Sequence, residues 1–161
     1  MSETLAITAV DRAARYAELL PQLRALLDGE PDLVANLANA AAALKDTIEA
    51  ASWAGFYVWR GDELVLGPFQ GKVACVRIAL GRGVCGTAAA TKQTLIVPDV
   101  DQFPGHIACD TGSRSEIVVP IVRRGELVAV LDVDSYAVAA FDETDAAGLA
   151  PIVELLSTLA W

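Results

Sequence analysis

Basic side chains are scarce in this sequence. Lys and Arg number 12 against 21 Asp and Glu, and a net charge of -9 repels phosphate backbones and anionic lipid headgroups. Nucleic acid and membrane surfaces are therefore not expected partners. Long apolar runs are missing as well: the uncharged stretch from Leu33 to Leu44 is 12 residues long and holds two Asn, whereas a bilayer span takes about 20. Residues 1–11 have neither a basic start nor an apolar block, so no export signal is read there and the cytoplasm is the expected location. With 7 Pro, 12 Gly and 54% hydrophobic residues, the chain is not disordered, collagen-like or low in complexity. Only three cysteines and one histidine occur. An odd number of thiols in a reducing compartment points to catalysis, redox sensing or metal binding and away from a disulfide framework.

A chain of 161 residues is the length of one domain. The expected layout is a variable arm over residues 1–11 and a single domain over 12–161. Leu19, Leu20, Leu23, Leu26 and Leu27 recur at helical spacing over 12–27, with Pro21 as a candidate break. Asp32 is placed to cap a second helix reaching residue 50. Strands follow at 54–59, 63–66, 76–80, 95–97, 116–122 and 126–134, with a short helix over 84–92 and a last one over 143–159. Residues 98–115 are rich in Asp, Gly and Pro and read as a long loop, the usual seat of function in a compact domain. Hairpin-linked strands with helices mainly at the chain ends predict an antiparallel α+β architecture.

Several clusters could carry chemistry. Gly81, Gly83 and Gly86 match the GxGxxG spacing, yet no βαβ unit follows, which leaves a tight turn or a helix start whose amides hold a small carboxylate. Cys75, Cys85, Cys109 and His106 could form a Cys₃His zinc site, but the ten-residue gap between Cys75 and Cys85 departs from usual zinc spacing. Buried cysteines acting as small hydrophobes are a further reading, which Cys109 in a polar loop fits poorly.

Alternation puts Val128, Val130, Asp132 and Asp134 on one strand face. A two-residue turn Arg124-Gly125 would force Arg124 to positive φ. A three-residue loop 123–125 is therefore expected, and it would set Glu116 opposite Asp132. The three acids then share one face, either as a solvated edge or as a functional cluster. Trp53, Gly55, Tyr57 and Trp59 share one side of the first strand. Such a stripe is core, or Gly55 leaves a gap between the rings for a small ligand.

Trp53-Ala54-Gly55-Phe56-Tyr57, Leu66-Gly67-Pro68-Phe69-Gln70-Gly71-Lys72, Gly81-Arg82-Gly83-Val84-Cys85-Gly86-Thr87, Gly105-His106-Ile107-Ala108-Cys109-Asp110 and Leu131-Asp132-Val133-Asp134-Ser135 occur in that order. Together they resemble the free methionine-(R)-sulfoxide reductases, an enzyme branch of the GAF fold, over nearly the whole chain after the first dozen residues. The resemblance implies a central antiparallel sheet flanked by N-terminal and C-terminal helices. It implies that Cys109 is the nucleophile, Cys75 the resolving thiol and Cys85 a third thiol also able to pair with Cys109. Glu116, Asp132 and Asp134 would surround the sulfoxide and the substrate ammonium, with Trp53 and Tyr57 walling the methyl group. No bound cofactor or metal is implied. The expected partners are free methionine-(R)-sulfoxide, a thioredoxin-like reductant and a second copy of the chain in a homodimer. A GAF sensor of small molecules, or a redox switch without turnover, is the competing class.

Overall fold

The computed structural model describes residues 4–161. A six-stranded antiparallel sheet, ordered β3-β2-β1-β6-β5-β4, forms its centre. The strands are β1 (Trp53–Trp59), β2 (Glu63–Gln70), β3 (Arg77–Ala79), β4 (Leu95–Val97), β5 (Ser115–Arg123) and β6 (Glu126–Ser135). Period-two alternation divides the molecule at this sheet. Ala54, Phe56 and Val58 of β1, with Ile117, Val119 and Ile121 of β5 and Leu131 and Val133 of β6, point to one face. There they pack against α1 (Arg12–Leu27), α2 (Leu33–Thr47) and α4 (Glu143–Ser157). Trp53 and Tyr57 of β1, Val118 of β5 and Val130 of β6 point to the other face, where α3 (Gly83–Thr91) lies.

Local chemistry sets the helix ends. The carboxylates of Asp11 and Asp32 accept from the N–H groups of Ala14 and Ala35, and Asp142 with Asp145 forms a reciprocal capping box at the start of α4. Asp145 is only 1% exposed. It also accepts 2.8 Å bonds from Tyr16 Oη and Arg12 Nη1 and so joins α1 to α4. Pro21 does not break α1, because it lies exposed and forfeits only one backbone bond on the solvent side. The second helix ends at Thr47, short of residue 50, and β2 continues to Gln70 past the expected end at 66. Residues 98–115 contain a single 3-10 turn, Val100–Gln102, before β5 begins at Ser115. No helix among the described residues is long and apolar enough to cross a membrane.

The β5–β6 hairpin corrects the expected turn. Arg123 pairs with Glu126, so the loop is the two-residue Arg124-Gly125 turn, with φ of 51° and 80°. The register then shifts, from Val122 opposite Leu127 to Ile121 opposite Ala129, which makes Val128 the extra residue of a bulge. That bulge moves the pairing by one, so Glu116 lies opposite Asp134, not Asp132. The shared acid face survives through a strained turn plus a bulge instead of a longer loop. Val128 is correspondingly not on the acid face; it packs against the helical core, and Leu127 takes the position beside Val130.

Candidate active site

Two rows of side chains cross the middle of the sheet on its α3 face. Glu116 of β5, Asp134 of β6 and Trp53 of β1 form one row, and Val118, Asp132 and Gly55 form the next. A Cβ on Gly55 would sit 2.3 Å from Phe69 Cβ, so the glycine admits the Phe69 ring and not a ligand. That corrects the expected gap. Phe69 stacks on Trp53 at 5.1 Å between centroids, and Trp53 on Tyr57 at 6.0 Å, so an aromatic wall stands beside the acids. Trp53 Nε1 donates to the Lys72 carbonyl and Tyr57 Oη to the Cys75 carbonyl, each at 3.0 Å, which anchors the wall to the loop between β2 and β3.

The glycine pattern resolves as a packing turn. Gly81 and Gly83 take φ of 77° and 62°, and a Cβ on Gly86 would lie 2.5 Å from the Ala79 carbonyl, so α3 can start tight against β3. Arg82, the residue before α3, makes no side-chain cap. Gly83, Val84 and Cys85, in the first turn of α3, line a cavity on this face of the sheet.

Trp53, Tyr57, Cys85, Cys109, Glu116, Asp132 and Asp134 all line this one cavity. Cys75 reaches it through a disulfide to Cys109, with Cα atoms 5.3 Å apart. The eight residues that the family resemblance implied for the site thus meet in one place. While Cys75 and Cys109 are joined, a Cys₃His donor set is not assembled, and Cys85 is the free, buried thiol.

Burial dominates the electrostatics. Glu116 and Asp132 are each 5% exposed. Burial, followed by the Asp134 charge, pushes Glu116 up to about 8. Burial and then Glu116 raise Asp132 well above the carboxylate range, and burial and then Asp132 do the same for Asp134. The Cys85 thiol is raised by burial, then by Asp132 and Glu116. Its Sγ donates to Glu116 Oε1 at 3.7 Å. Neighbouring acids that cannot all ionise hold at least one proton near neutral pH. This is a set of proton-holding carboxyls facing a cavity that also holds the Cys75–Cys109 disulfide.

Sequence reasoning singled out His106 only as a zinc ligand. In the structure His106 lines the cavity, with Nε2 at 4.0 Å from Glu116 Oε2, and burial lowers its pKa. A three-residue clasp also went unread. Tyr136 Oη donates to Asp110 Oδ2 at 2.9 Å, and Lys72 Nζ lies 5.3 Å from the Tyr136 ring centroid. Three segments far apart in the chain meet there, and no local pattern announces it.

The sequence pattern of the GAF domain family matches residues 3–160. The chain is 52% identical to GAF domain-containing protein A of Dictyostelium discoideum, over 97% of this chain and 99% of that protein. It is 50% identical to the free methionine-R-sulfoxide reductase of Escherichia coli, over 88% of this chain and 86% of that protein. A free methionine-R-sulfoxide reductase from Neisseria meningitidis, solved in complex with its substrate, superposes with a TM-score of 0.94 at 51% identity, covering 97% of this chain and 94% of that one. A GAF fold with this sheet, this cavity and this sequence likeness places the chain in the free methionine-R-sulfoxide reductase family of GAF-domain proteins.

Proposed function

We propose that this protein reduces free methionine-(R)-sulfoxide to methionine, with Cys109 as nucleophile. The observation that carries the reading is the Cys75–Cys109 disulfide at a cavity lined by three proton-holding carboxyls. A sulfoxide sulfur is a poor electrophile until its oxygen accepts a proton. The crowded acids Glu116, Asp132 and Asp134 supply that proton while the Cys109 thiolate attacks sulfur. Attack forms a bond between the Cys109 sulfur and the protonated sulfoxide sulfur. The hydroxyl then passes from the methionine sulfur to Cys109 as that S–S bond breaks, its electron pair returning to methionine, which leaves, and Cys109 carries the oxygen as a sulfenic acid. Cys75 attacks that sulfur, water leaves, and the disulfide forms; Cys85 is the other thiol able to resolve it. A thioredoxin-like dithiol then reduces the disulfide through a mixed disulfide and is itself oxidised. No bound cofactor enters this cycle.

Trp53 and Tyr57 wall the substrate methyl group, the carboxylates left ionised face the ammonium, and the first-turn amides of α3 face the carboxylate. This demand for both free termini is why the substrate is a free amino acid and not a peptide residue. The working unit in this reading is the single domain over 12–161, paired with a second copy through the exposed sides of the N-terminal helices. A dithiol reductant fits a cytoplasmic setting.

The test is a chromatographic assay of methionine formed from each epimer of free methionine sulfoxide, and from a peptide containing it, with a dithiol reductant. Free R epimer alone should be consumed, and Cys109→Ser should abolish turnover. Peroxide-driven disulfide formation without any methionine product would instead make the protein a redox switch, and ligand binding without product would make it a sensor.

A further inference from the structure

We propose that Cys85, Glu116 and Asp132 form a binding site for one borderline-soft divalent cation, for which zinc has the best matched chemistry. One ligand atom from each of these side chains lies within 4.8 Å of the other two, and all three residues are buried. They come from three rigid elements, the first turn of α3, β5 and β6. The 3.7 Å between Cys85 Sγ and Glu116 Oε1 is close to an edge of a zinc tetrahedron, about 3.5 Å for bonds of roughly 2.3 Å to sulfur and 2.0 Å to oxygen. Asp132 Oδ1 is buried and receives no bond from a backbone or amine donor among the described residues, while the Asp132 side chain shares hydrogen bonds with Glu116 and Cys85 of the same cluster. A buried carboxyl held by a second carboxyl and a thiol, with an oxygen left over, is an arrangement whose shared protons a cation can replace.

The donor set also discriminates. Magnesium and calcium prefer all-oxygen ligands, so the thiolate weighs toward zinc. Three protein ligands leave a fourth position open, as in exchangeable zinc sites, and His106 stands beside Glu116 with its Nε2 at 4.0 Å from Oε2. Because Cys75 and Cys109 are bonded to each other, Cys85 is the thiol that a metal meets in the oxidised protein. On binding, the thiol and any protonated carboxyl release their protons to water, and the metal takes their place. The functional consequence, which rests on the proposed reductase reading, is inhibition: a metal there occupies the proton donors and withdraws Cys85 from disulfide chemistry.

The experiment is equilibrium dialysis of the full chain, in its disulfide form, against zinc chloride, with metal counted by atomic emission. One zinc per chain is expected, with affinity at least tenfold weaker in Cys85→Ser and in Asp132→Asn. Glu116→Gln takes the place of either variant that circular dichroism shows to be unfolded. Cobalt(II) should give a thiolate charge-transfer absorption in the wild type and none in Cys85→Ser. Zinc absent from the wild type, retained undiminished in folded variants, or bound without cobalt–thiolate absorption overturns the site. These readouts need no turnover. A chain that binds zinc through these residues but makes no methionine sinks the reductase reading alone, and one that turns over but binds no zinc sinks the site alone.

Discussion

At the scale of single residues, the decisive feature is that Glu116 keeps its proton far above the ordinary carboxylate range. Its pKa in the folded protein, about 8, lies above the value of 4.5 expected when solvated. Between those values the native state binds a proton that the unfolded chain has released, so stability is fully present below the carboxylate range and falls as pH rises through about 8. Melting temperature should therefore decline from pH 5 to pH 8, and Glu116→Gln should flatten that slope. Thermal melts at matched ionic strength read this directly; an unchanged slope would mean that Glu116 ionises normally. Asp134→Asn should lower turnover by about 10² or more while leaving the melt near the wild type, since general acid catalysis contributes on that order. Equal losses of both would assign Asp134 to structure.

Much of this was legible beforehand. Period-two alternation alone puts Asp132 and Asp134 on one side of β6, whereas Glu116 was placed there by a three-residue loop that the hairpin does not adopt: the two-residue turn alone would set Glu116 opposite Val133, and the bulge returns it to the acid face. Which acid faces which was not legible, because the pairing depends on a bulge at Val128 that no turn residue signals. Burial of the acids was also beyond the sequence: it comes from α3 and from the segment carrying Cys109, and both reach the site only through tertiary packing.

Among the elements, the β5–β6 hairpin is where local preference yields to the rest of the fold. Arg124 holds φ 51° in a turn that favours Asn or Gly. Avoiding that strain by lengthening the loop is the sensible expectation from sequence, yet the sheet adopts the strained turn and absorbs the mismatch in the bulge. Arg124→Asn should therefore stabilise the protein by about 0.5–1 kcal/mol, read as a shift in the urea midpoint at constant m-value. A destabilised variant would show that Arg124 makes a contact worth more than its strain. By contrast, α1, α2 and α4 were readable from apolar spacing, with Asp32 as the one cap read in advance, since helix signals are local. The stacking of Phe69 on Trp53 was not, because it joins two strands whose register is set by hydrogen bonds and not by side-chain type.

Taken whole, the molecule changes its connectivity when the sulfurs join. The disulfide links positions 34 residues apart, and closing a loop of that size in the unfolded chain gives up to about 4 kcal/mol in the chain-entropy model. The oxidised protein should accordingly melt higher than the reduced one, by on the order of 10 °C for a chain of this size. Cys75→Ser should make the melting point indifferent to reductant. Equal melting of the oxidised and reduced wild type would mean that the reduced state keeps the same constraint by other contacts.

Because the sheet carries leucine-rich helices on one side and the acids, aromatics and sulfurs on the other, loss of helix packing and loss of chemistry should be separable. Leu149, 0% exposed against the helical side, should cost about 2–5 kcal/mol when cut to Ala. Combined with Asp134→Asn, its effect on stability should add to within about 0.5 kcal/mol. A lineage of such proteins is thus free to rework its outer helices, and whatever docks on them, without renegotiating the reaction carried out behind the sheet.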